Sequence, residues 1–369
     1  MRRWMIDRSG LPLTLLLILS SALAGCRTTA PTGLDHDGQV AKYLKDRYTK
    51  HEFQIPMRDG VRLFTAVYSP KDTSKTYPFL IFRTPYSCNP YGQDEFPSRM
   101  GSFSHLVESG FIFVRQDVRG RFMSEGQFVN MRPHIDNKQS PTDIDESSDT
   151  YDTIEWLIHN VPNNNGRAGM WGISYPGFYA AAGMIDAHPA LKAVSPQAPI
   201  ADWYFDDFHH HGAFFLPHFF GFFYTFGQAR PEPTTEWGER FDYGTPDGYE
   251  FYMDLGPLKN IKERYYKDDI AYWDKVVAHP NRDAFWKACD ILPHLHNVAP
   301  AVMTVGGWFD AEDLYGPLKI YRSVEEKNAD IFNVLVVGPW RHGGWARGEG
   351  NHLGQVRFPD KPSQFYKTH

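Results

Sequence analysis

The chain has 369 residues, and a composition of 42% hydrophobic and 22% charged residues belongs to a protein that can bury a core rather than to a disordered one. A formal net charge of −6, with no long Lys/Arg run, excludes the basic stripe that nucleic-acid binding requires. At roughly 150 residues per domain, the length allows two average domains or one large domain carrying an insertion. Aromatic residues make up 15% of the chain, more than one core needs, which points to an apolar or ring-accepting pocket.

Arg2, Arg3 and Arg8 precede an apolar run over residues 11–25, too short for the roughly 20 residues that span a bilayer but suited to a secretory leader. The run ends Leu23-Ala24-Gly25-Cys26, which is similar to the bacterial lipobox. Cleavage before Cys26 would expose that cysteine for lipid attachment and hold an exported protein on a membrane of the cell envelope. The alternative is a secreted protein with a chance cysteine. Residues 26–45, rich at first in Thr, Pro, Gly and Asp, then read as a solvated tether. Cys88 and Cys289 are the other cysteines; they could pair in an oxidising compartment, but two cysteines make no disulfide framework.

Residues 51–67 alternate apolar and polar around Asp59-Gly60, the signature of an antiparallel hairpin at a sheet edge. Apolar runs at 78–82, 111–115, 168–172, 191–195, 301–305 and 332–337 read as buried strands, with helical spacing at 104–109, 150–160, 177–187 and 314–325. This alternation predicts an α/β fold whose mostly parallel sheet is covered on both faces. The stretch 203–295 breaks the rhythm. It opens with a run of aromatics that includes Phe214, Phe215, Phe219, Phe220, Phe222, Phe223 and Phe226, and continues charged with helical spacing. A helical cap over a pocket is expected there, dividing the sheet domain into 46–202 and 296–369.

Gly172-Ile173-Ser174-Tyr175-Pro176-Gly177 follows a strand and opens a helix, the context of a nucleophile elbow. A serine hydroxyl is a weak nucleophile and needs a base, and the base needs an orienting carboxylate. Two later strands run into Trp308-Phe309-Asp310 and into Gly338-Pro339-Trp340-Arg341-His342. Ser174, Asp310 and His342 therefore follow the order nucleophile, acid, base, each at a strand's carboxyl end. His209-His210-His211 suggests a metal, but adjacent residues seldom face one ion and no tetrahedral partner set accompanies them, so neither metal nor cofactor is expected. Arg119 and Arg121 read as structural ion-pair partners, with Asp117 a candidate mate.

These segments, together with Arg83-Thr84-Pro85-Tyr86, Gln116-Asp117-Val118-Arg119-Gly120-Arg121 and Ser124-Glu125-Gly126, resemble the CocE/NonD hydrolases. That group includes cocaine esterase, X-Pro dipeptidyl-peptidases, glutaryl-7-aminocephalosporanic acid acylases and α-amino-acid ester hydrolases. The appearance is closest to the last, through Asp152-Thr153-Ile154-Glu155-Trp156-Leu157, His188-Pro189-Ala190-Leu191-Lys192 and Asp206-Asp207. The resemblance implies an α/β-hydrolase fold and a serine hydrolase without cofactor, acting on a small molecule or peptide through an acyl-enzyme. It also implies an oxyanion hole from the Tyr86 hydroxyl and the backbone N–H of Tyr175, and a carboxylate cluster, Asp207, Glu312 and Asp313, that holds a substrate's α-ammonium. Asp206 is the register alternative to Asp207, and Glu312 and Asp313 also fit the acidic first turn of a helix. Family members usually continue into a C-terminal jelly roll, whereas few residues follow His342 here, so that domain is expected to be missing. An X-Pro dipeptidyl-peptidase, a glutaryl acylase and a catalytically silent binding lipoprotein are the rival readings, and oligomeric state is open, a homo-oligomer included.

Overall fold

A computed structural model describes residues 39–100 and 106–368. The leader, Cys26 and the tether up to residue 38 lie outside the described residues, as do positions 104–105 of the short helix expected at 104–109, where residues 106–109 form a 3₁₀ turn. The chain enters through helix α1 (Gln39–Arg47), followed by β1 (Tyr48–Pro56) and β2 (Arg62–Pro70). Residues 39–45 are thus no tether: Val40 and Leu44 are buried in a cluster with Tyr48, Phe64 and Phe113. Polar residues around them hid this short apolar pair from a compositional reading.

β1 and β2 pair antiparallel through the Asp59-Gly60 turn, with β1 at the sheet edge. Then come β3 (Tyr77–Thr84), β4 (Ile112–Asp117), α2 (Glu146–Asn160), β5 (Asn164–Ile173), α3 (Tyr175–Gly183) and β6 (Leu191–Gln197). A two-residue ribbon, β7 (His209–His210) with β8 (Ala213–Phe214), leads into α4 (Leu216–Phe226), α5 (Gly248–Leu255) and α6 (Ala271–Ala278). The sheet then resumes with β9 (Ala301–Gly307), α7 (Tyr315–Lys327) and β10 (Asn333–Gly338), and α8 (Ser363–Thr368) closes the described chain. The strands lie in the order β1-β2-β4-β3-β5-β6-β9-β10. β2 meets β4 antiparallel, and every later pairing is parallel. This is the sheet of an α/β-hydrolase, and the six apolar runs of the sequence are its six parallel strands. Among the described residues no helix is long and apolar enough to cross a membrane.

α2 begins four residues before its apolar periodicity does. Asp145 and Ser148 form a capping box, and the polar first turn, Glu146 to Asp149, is buried rather than solvated. The reason is a charge network under the sheet. Arg83 is fully buried and donates to Gln116 Oε1 (2.7 Å), Glu146 O (3.0 Å) and Thr150 Oγ1 (2.9 Å). Arg119 is not paired with Asp117 but makes two-pronged contacts with Asp149 (2.7 Å) and Asp59 (2.7 Å). Asp117 instead accepts the N–H of Cys88 (2.8 Å) and of Met123 (3.2 Å) and the hydroxyl of Tyr91 (2.9 Å), holding the loops after β3 and β4 together. Cys88 and Cys289 are both buried and free.

The segment 203–295 leaves after β6 and returns before β9. Asp202 and Asp290 form an isolated bridge at its two ends, and Arg282 ties both carboxylates, at 2.6 Å and 2.8 Å. α4 carries aromatics on all sides and sorts them by face. Phe219 and Phe223 pack on Phe208 and Tyr272, Phe220 packs on Phe241, Phe251 and Tyr266, and Phe222 and Phe226 lie along a third stripe with His218. The spacing 218, 222, 226 is one helical face, and it turns toward Tyr86.

Asp149 accepts from Arg119 and lies 3.7 Å from Arg83, with none of its side chain exposed. Replacing it with alanine leaves two buried guanidiniums short of a counter-charge, so Asp149→Ala should cost about 3–5 kcal/mol. Urea denaturation checks this; a loss below about 1 kcal/mol would mean that Asp59 and Glu146 suffice without it.

Candidate active site

The site is assembled at the carboxyl ends of the strands. Between β5 and α3, Ser174 has φ 69° and ψ −130°, a conformation that L-residues rarely hold, and its N–H is fixed by Gln197 O at 2.9 Å. Only glycine is tolerated on either side of it. A Cβ at Gly172 would sit 2.1 Å from Pro176 O, and one at Gly177 would sit 2.5 Å from Gln197 O. Tyr175 is the first residue of α3, so its N–H has no intrahelical partner and points out of the helix N-terminus. Its hydroxyl donates to Asn130 Oδ1 (2.6 Å) and accepts from Met131 N (3.1 Å).

β9 and β10 end side by side, and the loops that follow are laced by Trp308 N to Gly338 O (2.9 Å) and Phe309 N to Trp340 O (3.1 Å). This lacing sets Asp310 against His342. His342 Nδ1 donates to Asp310 Oδ2 at 2.9 Å, while Asp310 Oδ1 accepts the N–H groups of Glu312 (2.9 Å) and Asp313 (3.0 Å). His342 Nε2 is 3.7 Å from Glu312 Oε2. Gly343 reaches back over the elbow, since a Cβ there would be 3.7 Å from Ile173 Cγ2. Tyr86 follows β3, its N–H held by Thr84 Oγ1 at 3.0 Å, and its ring packs on Tyr175 and Phe226.

Asp207 joins Glu312 and Asp313, while Asp206 does not. Both lie on one wide π-helical turn (Tyr204–Phe208), which sends consecutive carboxylates apart. Asp206 accepts from the N–H groups of Ala201 (2.8 Å) and Gly316 (2.7 Å), a structural bond set. Asp207 Oδ1 and both Asp313 oxygens are buried and lack a hydrogen-bond partner among the described residues. Glu312 and Asp313 are not the first turn of a helix, because α7 begins only at Tyr315. His218, unremarked in the sequence, supplies the cluster's nearest cationic group at 3.2 Å from Glu312. Its place on the stripe with Phe222 and Phe226 was the available signal.

Charge and burial act against each other here. Burial first, then the field of Glu312, pushes Asp207 up to about 7, and burial with Asp207 and Glu312 pushes Asp313 well above the usual carboxylate range. Burial raises Glu312 too, but the hydrogen bond from His218 and the nearby His342 outweigh it and leave it low. Burial works against a charged His342, yet the bond to Asp310 and the fields of Glu312 and Asp207 win, and its pKa rises. Burial and then Asp207 hold the Tyr86 phenol well above its ordinary value, so it stays a donor. A cavity of about 580 Å³ opens beside Tyr86, lined by Phe222, Phe226, Trp237, Phe241 and Tyr243 of the cap.

Two other sequence candidates lie apart. His209 stacks on Tyr204 at 4.1 Å, His210 Nε2 bonds Asp206 O, and His211 is exposed, so the three histidines diverge. Among the described residues Arg121 pairs with no carboxylate. It donates to Pro85 O (3.1 Å) and Phe226 O (2.9 Å) with its guanidinium 4.1 Å from the Phe226 ring, and burial, then Arg230, lowers it to about 10. It thus fastens the end of α4 to the residue before Tyr86.

A profile of the X-Pro dipeptidyl-peptidase (S15) family matches residues 59–344. Cocaine esterase of Rhodococcus sp. (strain MB1 Bresler) is 29% identical over 308 residues, 78% of this chain and 48% of that protein. An aminopeptidase from the marine sediment archaeon Thaumarchaeota archaeon superposes with a TM-score of 0.78 at 31% identity, covering 93% of this chain and 56% of its own. An α-amino acid ester hydrolase superposes with a TM-score of 0.76 at 30% identity, covering 94% and 55%. The chain therefore spans about half the length of these relatives.

The strained acids predict a pH-dependent stability. With Asp207 held near 7 when folded and near 3.8 when unfolded, the folded chain keeps a proton that the unfolded chain releases, so stability is lost as pH climbs through that window. Asp207→Asn removes this linkage. Its unfolding midpoint should match wild type near pH 4 and exceed it increasingly up to about pH 7, with the gap constant above; a gap that shrinks with pH would refute the assignment.

Proposed function

Because the chain belongs to the X-Pro dipeptidyl-peptidase (S15) family, we propose that it is a serine hydrolase cleaving esters or amides whose acyl part carries a free α-amino group. In this reading Ser174 Oγ attacks the carbonyl carbon as His342 Nε2 takes its proton, and Asp310 keeps the other imidazole proton on Nδ1. Tyr86 Oη and the N–H of Tyr175 receive the oxyanion, where developing charge makes their bonds stronger than in the bound substrate. His342 then passes the proton to the leaving group, and water releases the acyl group from Ser174 by the same steps in reverse roles.

The observation that carries the substrate class is that Asp207 Oδ1 and both Asp313 oxygens are buried without a hydrogen-bond partner among the described residues. Glu312 is already matched by His218, while burial and mutual repulsion favour the protonated forms of Asp207 and Asp313, so these two are the ones left to gain from an added cation. An α-ammonium supplies both charge and donors there, whereas an anionic glutaryl group would be repelled. The aromatic cavity beside Tyr86 suits the apolar part of such a substrate. An Xaa-Pro amide also brings a free amine, one residue further from the scissile bond, and the family match favours it as the second reading. A membrane tether through lipid on Cys26 belongs to the same proposal.

Ser174→Ala should abolish labelling by a fluorophosphonate probe and lower ester turnover by roughly 10⁴- to 10⁶-fold. Persistent labelling would place the nucleophile elsewhere, and a wild-type chain that never labels would favour a silent binding protein. For the acid cluster, the ratio of kcat/KM for an α-amino ester to that for its deaminated analogue should fall roughly 10- to 1,000-fold in Asp207→Asn. A folding defect cancels in that ratio, so an unchanged ratio would sink the ammonium reading, and Xaa-Pro amides in the same panel separate esterase from dipeptidyl-peptidase.

A further inference from the structure

Among the buried side-chain nitrogens outside the acid cluster that have no hydrogen-bond partner among the described residues, one belongs to a histidine beside another histidine and a carboxylate. His134 lies on the long loop between β4 and α2 with its side chain only 4% exposed, and its Nε2 is buried without a hydrogen-bond partner among the described residues. That nitrogen is 3.7 Å from Asp136 Oδ1. The same oxygen accepts from His294 Nδ1 at 2.7 Å, and the two imidazole centroids are 4.9 Å apart. One ligand atom from each of the three residues lies within 4.8 Å of the other two. Ligand atoms on a tetrahedral zinc ion, with bonds of about 2.0–2.2 Å, are roughly 3.3–3.6 Å apart, so side-chain rotations would bring the observed separations into range.

The far side of His134 is prepared in the same sense. Its Nδ1 is 3.1 Å from Asp145 Oδ2, a carboxylate that is itself buried, held by the N–H of Ile135 (3.0 Å) and by Lys138 (2.6 Å), and used through its other oxygen to cap α2. A carboxylate in that position keeps the ring proton on Nδ1 and turns the Nε2 lone pair toward the gap, the arrangement usual behind a metal-bound histidine. Lys138 balances Asp145, so Asp136 is the one anion left to an ion.

We propose that His134 Nε2, Asp136 Oδ1 and His294 Nδ1 bind a divalent transition ion, zinc first, with water completing the coordination on the exposed Asp136 side. Two imidazoles and one carboxylate favour zinc or cobalt over the all-oxygen preference of calcium and magnesium. On binding, the His294 ring proton passes through solvent from Nδ1 to Nε2, and the freed Nδ1 lone pair exchanges its bond to Asp136 for one to the ion. The ion would join the return of the cap to the loop whose Asn130 and Met131 hold the Tyr175 hydroxyl. His134 and His294 are 160 positions apart on an otherwise unmarked loop and a short turn, so no sequence spacing announces the pair.

The test uses the full chain, stripped with a chelator and titrated with zinc alone and with cobalt alone. Wild type should bind zinc at micromolar concentration or tighter with a raised unfolding midpoint, and cobalt should give the visible absorption of a low-coordinate ion. Asp136→Asn, at an exposed position that tolerates change, and His294→Gln should each weaken binding about 10-fold or more. Glu312→Gln should leave it unaltered, which separates this site from the acid cluster. Unchanged affinity in the first two variants, loss in Glu312→Gln, or no zinc bound by wild type would overturn the proposal.

Discussion

A single carboxylate, that of Asp310, sets both halves of the site. One oxygen fixes the His342 ring, and the other collects the backbone N–H groups of Glu312 and Asp313. The orientation of the imidazole and the placement of two of the three clustered acids are thus one constraint rather than two. The sharing also explains why Glu312 and Asp313 do not serve α7: their amides are committed upstream, and their carboxylates turn toward Asp207, His218 and His342. Any change that moves Asp310 disturbs the imidazole and the charge environment together.

The cap is coupled to this arrangement by the His218–Glu312 ion pair and, at the end of α4, by carbonyl bonds and ring packing. Arg121 binds the last carbonyl of α4 and the carbonyl of Pro85, with Phe226 packed under its guanidinium. Neutral acceptors suit a cation this deeply buried, because a carboxylate there would add another desolvated charge close to an already anionic site. The same helix presents His218 on the same stripe, two turns before Phe226. Position and chemistry of the cap's contribution therefore follow from the register of one aromatic helix.

The strands were legible because each is an apolar run bounded by turns, and the strand-end placement of Ser174, Asp310 and His342 was legible because strand-end loops keep their order along the chain. What burial decides was not. The first turn of α2 is polar and reads as solvent, yet it is buried to meet Arg83 and Arg119. Residues 39–45 read as tether, yet Val40 and Leu44 find a buried cluster. Asp117 stood nearest Arg119 in sequence, but the arginine reaches across to Asp59 and Asp149, 60 and 30 residues away. The choice between Asp206 and Asp207 needed the geometry of the π-turn, which no spacing rule contains.

The carboxylate cluster looks costly, since like charges share a buried space and several of their oxygens are unsatisfied. The cost is localised by His218, which leaves Glu312 compensated and concentrates the deficit on Asp207 and Asp313. That same negative field acts on two neighbours in useful directions. It raises the basicity of His342, and it holds the Tyr86 phenol in its protonated form. On the proposed chemistry, a base must accept a proton and an oxyanion donor must keep one, and both requirements are met by charge placed nearby. A substrate cation entering the cluster would partly cancel this field, lowering the basicity of His342 at the moment of binding. On that chemistry Asp310 at 2.9 Å and Glu312 at 3.7 Å stay beside His342, so the imidazole keeps these two anions while a substrate cation compensates Asp207 and Asp313. On the proposed chemistry, the division of three acids into one that faces the histidines and two that receive the cation is what lets one cluster do both.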